Sequence, residues 1–554
     1  MASEDKRRQK EVMKQISNWF EDLKKTRQKW EVEWYEISKF LDPKRETLFK
    51  NTDEVKVGKY IFDGTPISAH RLLVDGLMGY LISPSLPWFR LRMGNRKLEQ
   101  LEGVKLWLQQ VEKHFYSLFR RSNFYGQMYS LLEIGSSYGT ATMYFEEKAT
   151  KKIVSFKTLH PMEAYISTDS DDKPNAVFRL FKMKARNILE RFDKEQIRCE
   201  ILEMLEKSPE EKYKILHAVF PRTEREIGKL TKTNKQWASY YILWDHEEML
   251  SEGGYDAFPY VVWWWEKNSY EDYGRSPAWE ALADIKGLNQ MGRTLLEAAN
   301  KAVEPPLNVP ARLKGMVRIK PNGINYIESP DERIEPINLV SGYPVGVDRE
   351  ERKQEAIKKH FRVEFFLMLA NATRRMTAYE VAERQAEKAA LLESPITRLG
   401  TDVLNPIFDR IFEIEWRAGR IPPPPPSLAK YSGEELEVDY VGPLAQAQKR
   451  LFRTQGTDRF LERAIPIIQI NPEVADNVDW DQLIREYMEA DNVPQEIVVP
   501  EDKVAKMREL RNRMKQLQAQ LQLRQQEIEN YQKLAKAPEE GSPVGAEIGP
   551  AEGE

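Results

Sequence analysis

The clearest candidates for chemistry in this chain are two neighbouring arginines, Arg374 and Arg375, in a short polar run that also holds Asn371, Thr373 and Met376. A guanidinium presents a fixed fork of N–H donors, and adjacent forks suit phosphate or carboxylate oxygens. Two other sets of cations flank this run. Lys353, Lys358 and Lys359 lie in a helical pattern, where the alternative is a solvated face paired with Glu351 and Glu355. Arg312, Lys314, Arg318 and Lys320 alternate, which would project them from one face of a strand. Such groups hold a polyanion or an acidic protein surface; they do not break bonds.

Bond-breaking motifs are not expected. No GxxxxGK[ST] phosphate loop and no HExxH pair occurs, and His70, His114, His160, His217, His246 and His360 are scattered without ligand spacing. A serine nucleophile elbow is not expected, and the single cysteine, Cys199, lies between Arg198 and Glu200 in a charged helical pattern. Asp169, Asp171 and Asp172 could in principle hold a divalent cation, yet between strand signals they read as a solvated turn. Glu434, Glu435 and Glu437 read the same way. The expectation is therefore no catalytic residue, no metal and no cofactor.

With 31% charged and 41% hydrophobic residues over 554 positions, the chain fits a soluble globular protein with a heavily ionised surface and several substructures. A net charge of -3 means that contact with nucleic acid must come from local basic clusters. One cysteine excludes an internal disulfide framework and fits a reducing cytoplasm. The polar stretch 1–14 is unlike a signal peptide, and no run approaches the roughly 18 apolar residues of a membrane span.

The elements that must position these side chains are largely legible. Residues 5–41 predict one amphipathic helix, with Ile16, Phe20, Leu23, Trp34 and Ile37 on its stripe. Alternation predicts strands near 140–145, 153–156, 176–178, 213–220 and 237–244, with helix over 103–121 and 184–207. Ser276 and Pro277 open a helix that Pro305 and Pro306 end. A Pro/Gly-rich excursion follows, then a second helix over 348–370. Thr377 and Glu380 have the spacing of a capping box for a third helix over 377–419, kinked by Pro395 and Pro406. Five prolines from Pro422 to Pro426 form a stiff spacer, with a strand near 435–441 and helices over 444–460 and 480–488 beyond it. Across 501–535, Met507, Leu510, Met514, Leu517, Leu521 and Ile528 make a heptad-like stripe too thin to hold a lone helix, and the tail 536–554 reads as disordered. The fold class is α+β, mainly helical.

Five passages give the chain a family resemblance. Asp63-Gly64-Thr65-Pro66 through Leu86-Pro87-Trp88-Phe89-Arg90-Leu91 is similar to the "DxT…L…SPxxPWFxL" stretch of bacteriophage portal proteins, the head-to-tail connectors of podovirus-type phages. Gly139-Thr140-Ala141-Thr142-Met143-Tyr144 resembles their "GTGxLY" strand. Tyr273-Gly274-Arg275-Ser276-Pro277 with Asp284, Ile285, Lys286, Leu288 and Asn289 resembles "YGRGP…LPDIKxLN". Met376-Thr377-Ala378-Tyr379-Glu380-Val381-Ala382-Glu383-Arg384 resembles "MTAxEVxER", and Tyr440-Val441-Gly442-Pro443-Leu444-Ala445 resembles "YxSPLA". Gly64 and Ala141 depart from the pattern, where Ser and Gly are usual.

The resemblance implies a homo-dodecameric ring at one capsid vertex. Its channel would carry double-stranded DNA in packaging and ejection, and the ring would dock terminase large subunit, tail adaptor protein, major capsid and scaffolding proteins, and internal core proteins, with no membrane. It implies a virion component made in the host cytoplasm. Residues 1–275 would form the wing, 276–303 and 348–370 the stem helices, 304–347 the clip, 371–376 the tunnel loop, 377–419 a long kinked helix, 420–500 the crown and 501–535 a barrel helix. Asn371, Thr373, Arg374, Arg375 and Met376 would then face the channel; the alternative for the arginines is pairing with Glu380 or Glu383. Lys353, Lys358 and Lys359 would be weaker channel candidates, and Arg312, Lys314, Arg318 and Lys320 would meet DNA or an acidic partner from the clip. The competing readings are a phage scaffold without a channel and a DNA-processing enzyme.

Overall fold

The computed structural model of the chain describes residues 2–45, 60–148, 153–225, 231–371, 392–442 and 460–534, apart from gaps at 102, 321, 328, 331–332, 338–342, 429–430, 432–435, 462, 491–497 and 500. It comprises two units, Met1–Pro466 and Ile467–Glu554.

Helix α1 (Ala2–Phe40) is continuous, as its stripe predicts. Trp34, Ile37 and Leu41 enter the main core, and the Trp34 indole donates to the Tyr138 carbonyl at 3.1 Å. Helix α2 (Thr65–Leu81) starts where the Asp63 carboxylate accepts the Thr65 N–H at 2.6 Å. Trp88 and Phe89 are both buried in the core, and Phe89 opens strand β1 (Phe89–Met93). Helix α3 (Val104–Arg121) follows left-handed Gly103. Helix α4 (Phe124–Tyr138) has no counterpart among the predicted elements. Its Met128, Leu131, Leu132 and Ile134 are buried, while Gln127, Ser130 and Glu133 stay partly exposed.

The strands are β2 (Thr140–Lys148), β3 (Ile153–Leu159), β4 (Ala164–Thr168), β5 (Pro174–Lys184), β6 (Lys212–Pro221), β7 (Trp237–Leu243), β8 (Glu248–Tyr255) and β9 (Tyr260–Trp264). They form a three-stranded sheet ordered β3-β2-β9 and a five-stranded antiparallel meander ordered β4-β5-β6-β7-β8. The N-terminal half of α1 covers one face of the meander, with Ile16, Phe20 and Leu23 against Tyr165, Phe178 and Tyr240. The other face is covered by α5 (Ala185–Arg191) and α6 (Cys199–Lys207). This corrects the single helix expected over 184–207: Lys184 ends β5, Phe192 turns into the core, and the Asp193 side chain caps a separate 3-10 turn. Two short helices can follow the curved sheet where one straight rod could not.

Next come α7 (Pro277–Val303), β10 (Leu307–Asn308), β11 (Glu335–Pro336), α8 (Tyr343–His360), α9 (Val363–Asn371), α10 (Glu393–Arg398), α11 (Asn405–Arg417) and β12 (Leu436–Tyr440). The kink expected near Pro406 takes the form of a π turn over Leu399–Leu404 between α10 and α11, which absorbs the carbonyl the proline cannot bond. Gly419, with φ +64°, closes α11, and β12 pairs antiparallel with β1. The second unit contains α12 (Trp480–Ala490) and α13 (Glu501–Leu534), joined by an Arg508–Asp481 ion pair. The mixed helix-and-strand expectation therefore holds. The predicted helix over 444–460 and the tail 536–554 lie outside the described residues.

Candidate nucleic-acid interface

Ser276 caps α7 by accepting the Trp279 N–H, and its own hydroxyl donates to the Ser137 carbonyl at 2.6 Å. Along α7 every buried residue lies between Pro277 and Leu288. The helix then leaves the core for its last 15 residues, about 22 Å at 1.5 Å per residue. Helix α8 runs back beside it: Gly346 faces Leu295, and Lys353 Nζ bonds Asp284 at 2.5 Å. A Cβ on Gly346 would stand 2.7 Å from a Leu295 methyl, so glycine lets the two helices close.

Helix α8 begins at Tyr343, five positions before the expected start, and it does not run unbroken to residue 370. Arg362 takes φ +54° and separates α8 from α9. Burial accounts for the break. Phe361, Phe365 and Phe366 are all in the core, and the Phe366 ring occupies the space over Gly76 of α2. On a straight helix Phe365 would share the face of Phe361, but Phe366 would point about 140° away from it.

Asn371 is the last residue of α9, inside a helix and not in a loop. Thr373, Arg374, Arg375 and Met376 lie outside the described residues, as does the Thr377–Glu380 capping box. Lys353 is tied to Asp284 of α7 and not to Glu351 or Glu355. Lys358 and Lys359 are exposed and have no ion-pair partner among the described residues. In the lobe between α7 and α8, Arg312, Lys314, Arg318 and Lys320 are all exposed, but the strand expected to carry them is absent. Pro310 leads into a 3-10 turn over Ala311–Leu313, and Gly315 at φ +81° turns the chain again. The lobe's only β pairing among the described residues is the two-residue β10–β11 ladder. Interleaved with the cations are apolar side chains in solvent: Met316 is 74%, Ile319 76% and Tyr326 86% exposed.

Four of the five passages that carry the resemblance form joints in the described structure, and the fifth, at 376–384, lies outside the described residues. Gly139 (φ +82°) closes α4 against the Gly274 backbone, and the Gly274 N–H donates to Thr140 Oγ1 at 2.8 Å. Asn289 of α7 clasps the chain before α2, accepting from the Phe62 N–H and donating to the Tyr60 carbonyl. Asp63 accepts from Gln354 of α8 at 2.8 Å. The Val441 N–H donates to the Trp88 carbonyl at 2.9 Å. These recurrent residues hold helices to sheets; they do not converge on a cleft.

The GxSxG spacing does occur, at Gly135-Ser136-Ser137-Tyr138-Gly139, although no such elbow was expected. Its context is the reverse of a nucleophile elbow, since the motif ends a helix and leads into a strand. Ser136 and Ser137 are wholly buried, and both hydroxyls lie within 3.1 Å of His70 Nε2. Burial, then the Arg45 charge, lowers the His70 pKa to about 4, and burial lowers that of His160 to about 3. Below pH 6.5 the unfolded chain gains protons that the folded one refuses, so stability should fall as pH drops from 6.5 towards 4. Each such histidine contributes about 1.4 kcal/mol per pH unit. Glu112, pushed up to about 7 by burial, works oppositely between pH 4.5 and 7. Thermal melts across this range should therefore show Tm falling on the acid side, and a flatter fall in His70→Asn. A pH-independent Tm would contradict the buried neutral histidines.

The acidic turn is self-contained. Asp169 accepts from the backbone N–H groups of Asp171 and Lys173, and Asp172 pairs with Lys267 at 3.0 Å. Glu437 sits in β12, while Glu434 and Glu435 lie outside the described residues. Cys199 is exposed at the start of α6. Among the described residues no group of carboxylates, histidines and cysteine could hold a metal, and no helix is long and apolar enough to cross a membrane.

Within the first unit the geometry is that of α7 and α8 running antiparallel, with the second half of α7 outside the core. The profile of the family described as "Bacteriophage head to tail connecting protein" matches residues 13–498, and the chain belongs to that family. It is 31% identical over 534 residues to a probable portal protein of Bordetella phage BPP-1, covering 94% of each chain. It is 29% identical over 536 residues to the portal protein of Salmonella phage epsilon15, covering 94% of this chain and 93% of that one. The family is a structural connector family, not an enzyme family.

Proposed function

We propose that the chain is a portal subunit: identical copies close into a ring at one capsid vertex, and its channel passes double-stranded DNA during packaging and ejection. The observation that carries this is α13. It is a 34-residue helix whose Leu510, Met514, Leu517 and Leu521 are 55–70% exposed at heptad spacing. A helix about 51 Å long with an uncovered seam is stable when copies of itself cover that seam. Twelve copies is the number the family resemblance suggests.

In this reading 1–275 is the wing, α7 and α8–α9 are the stem, and 304–342 is the clip. Residues 372–376 supply the tunnel loop, 420–500 the crown and α13 the barrel. Lys358 and Lys359 on the stem, with Arg374 and Arg375, supply bands of charge repeated around the axis. DNA carries a charge about every 1.7 Å of its length, so isolated bands in a chain of net charge -3 hold it weakly enough to slide. All such contacts are to phosphate, which keeps transit independent of sequence. The clip mixes Arg318 and Lys320 with exposed Met316, Ile319 and Tyr326, a composition suited to protein partners such as terminase and tail adaptor more than to phosphate alone. The ring would also meet capsid, scaffolding and internal core proteins.

Negative-stain imaging of the purified protein should show annular particles with a central hole; monomers at high concentration, or solid particles, would end this reading. Leu510→Asp with Leu517→Asp should raise the assembly midpoint in sedimentation about tenfold or more, equivalent to about 1.4 kcal/mol or more. The Tm of the unassembled chain should be unchanged, because both side chains are already exposed within it.

A further inference from the structure

Beside α11, the end of β2 and the end of β8, the first unit holds a cavity of about 430 Å³ lined by Glu146, Tyr255, Asp256, Arg410, Glu413 and Arg417, among others. Its charges are matched, with one exception. Lys235 and Arg417 bond Asp256 at 2.8 and 2.5 Å, Arg417 also bonds Glu413 at 2.6 Å, Arg191 pairs with Glu146, and Arg420 with Glu147. Arg410 is 8% exposed and has no hydrogen-bond or ion-pair partner among the described residues. Its Nη1 is shut off from solvent and unsatisfied. The guanidinium lies against ring faces, 4.8 Å from the centroid of Phe145 and 5.3 Å from that of Tyr255, and the Glu146 and Glu413 carboxylates act on it only from beyond ion-pair distance.

A buried, unpaired guanidinium costs several kcal/mol unless something completes it. Arg27 and Arg179, also deeply buried, show what completion looks like here: Arg27 donates to the carbonyls of Pro161, Met162 and Ala164 and to the Tyr165 hydroxyl and pairs with Glu31, and Arg179 pairs with Glu163. Arg410 has similar burial and none of that.

We propose that this cavity is a receptor for one carboxylate, gripped by the Nε and Nη2 groups of Arg410, the edge of the guanidinium that is not shut off from solvent, and supplied by an acidic side chain on a second copy of this chain. A single carboxylate matches the guanidinium in bidentate geometry. The four carboxylates of Glu146, Glu147, Asp256 and Glu413 around it repel a phosphate of higher charge, so DNA does not belong here. The volume exceeds what a free acetate needs and admits a whole Asp or Glu side chain. Ile414, Ala257 and Ala418 meet its methylene stem. The second-copy half of the inference rests on the ring reading; the carboxylate half does not.

Full-length protein below its assembly midpoint is titrated with sodium acetate against a chloride control, with Tm as readout. Wild type should show a saturable rise, Arg410→Met none, and Arg410→Lys a weaker one because the fork is lost. No rise in wild type overturns the site. Without acetate, Arg410→Met should melt at or above the wild-type temperature, since it removes a buried unpaired charge; a lower Tm means that Arg410 has a partner inside its own chain, and also overturns it. In sedimentation, Arg410→Met should assemble at about tenfold higher concentration, and acetate should compete with wild-type assembly. An unchanged midpoint in a chain that binds acetate assigns the site to free small carboxylates and overturns the second-copy half. Wild type that never assembles defeats the ring reading, while the acetate titration still decides the site.

Discussion

Arg374→Ala combined with Arg375→Ala is expected to leave ring assembly intact and to cut the yield of DNA-filled particles about tenfold or more. In the portal reading proposed above, two adjacent guanidiniums per subunit, repeated around an axis, would present a cationic band to a passing duplex. Removing one phosphate-binding cation reduces the logarithmic salt slope of DNA retention by about one. The double variant should therefore release DNA more readily and respond less to salt. Nuclease protection of packaged DNA, measured across ionic strengths beside negative-stain imaging of the rings, separates the two effects. Normal packaging and retention would remove this run from the mechanism. Failure of ring assembly would instead return the arginines to the alternative pairing with Glu380 or Glu383.

Gly139→Ala is expected to destabilise the first unit by about 3 kcal/mol or more, enough to lower Tm by several degrees and the soluble yield sharply. Two penalties add. The residue sits at φ +82°, where a side chain costs about 1 kcal/mol or more, and a Cβ there would lie 2.2 Å from the Gly274 carbonyl oxygen. Neither side can give way. The Gly139 carbonyl accepts from the Trp265 N–H, and Gly274 is fixed by its bond to Thr140. Gly64→Ala is the control, because its Cβ would meet nothing within 4 Å. Equal melting temperatures for the two variants would show that the joint between α4, β2 and the start of α7 tolerates movement.

These joints explain why so much was readable. Asp63-Gly64-Thr65-Pro66, Trp88-Phe89, Gly139-Thr140, Gly274 with Ser276-Pro277, and Tyr440 are local signals: turns, caps and anchors whose residue types follow from backbone geometry a few positions away. The same locality defined α1, α7 and α13, whose apolar stripes repeat at the helical period. What was missed lacked such a period or depended on distant contacts. Helix α4 is short and mostly buried, and its polar face is only Gln127, Ser130 and Glu133. Strands β4 and β8 are members of a meander whose other strands carried the clear alternation. The break at Arg362 exists because Phe361 and Phe366 are both drawn into the core, and nothing within 348–370 announces it.

The candidate site divides along the same line. The cations of α8 and of the lobe between α7 and α8 were visible as residues, but Lys353 proved to be committed to Asp284, and the alternation of Arg312 to Lys320 belonged to turns around Pro310 and Gly315 instead of a strand. Arg410 gave no signal at all, being one basic residue on an amphipathic helix. By itself the sequence determined the order of the strongly periodic elements, the family and the absence of a phosphate loop or metal motif, because these reside in short-range residue types. Only the tertiary structure decided which charges are spent inside the subunit and which, like Arg410 and the seam of α13, remain open, because pairing and burial are set by residues far apart in the chain.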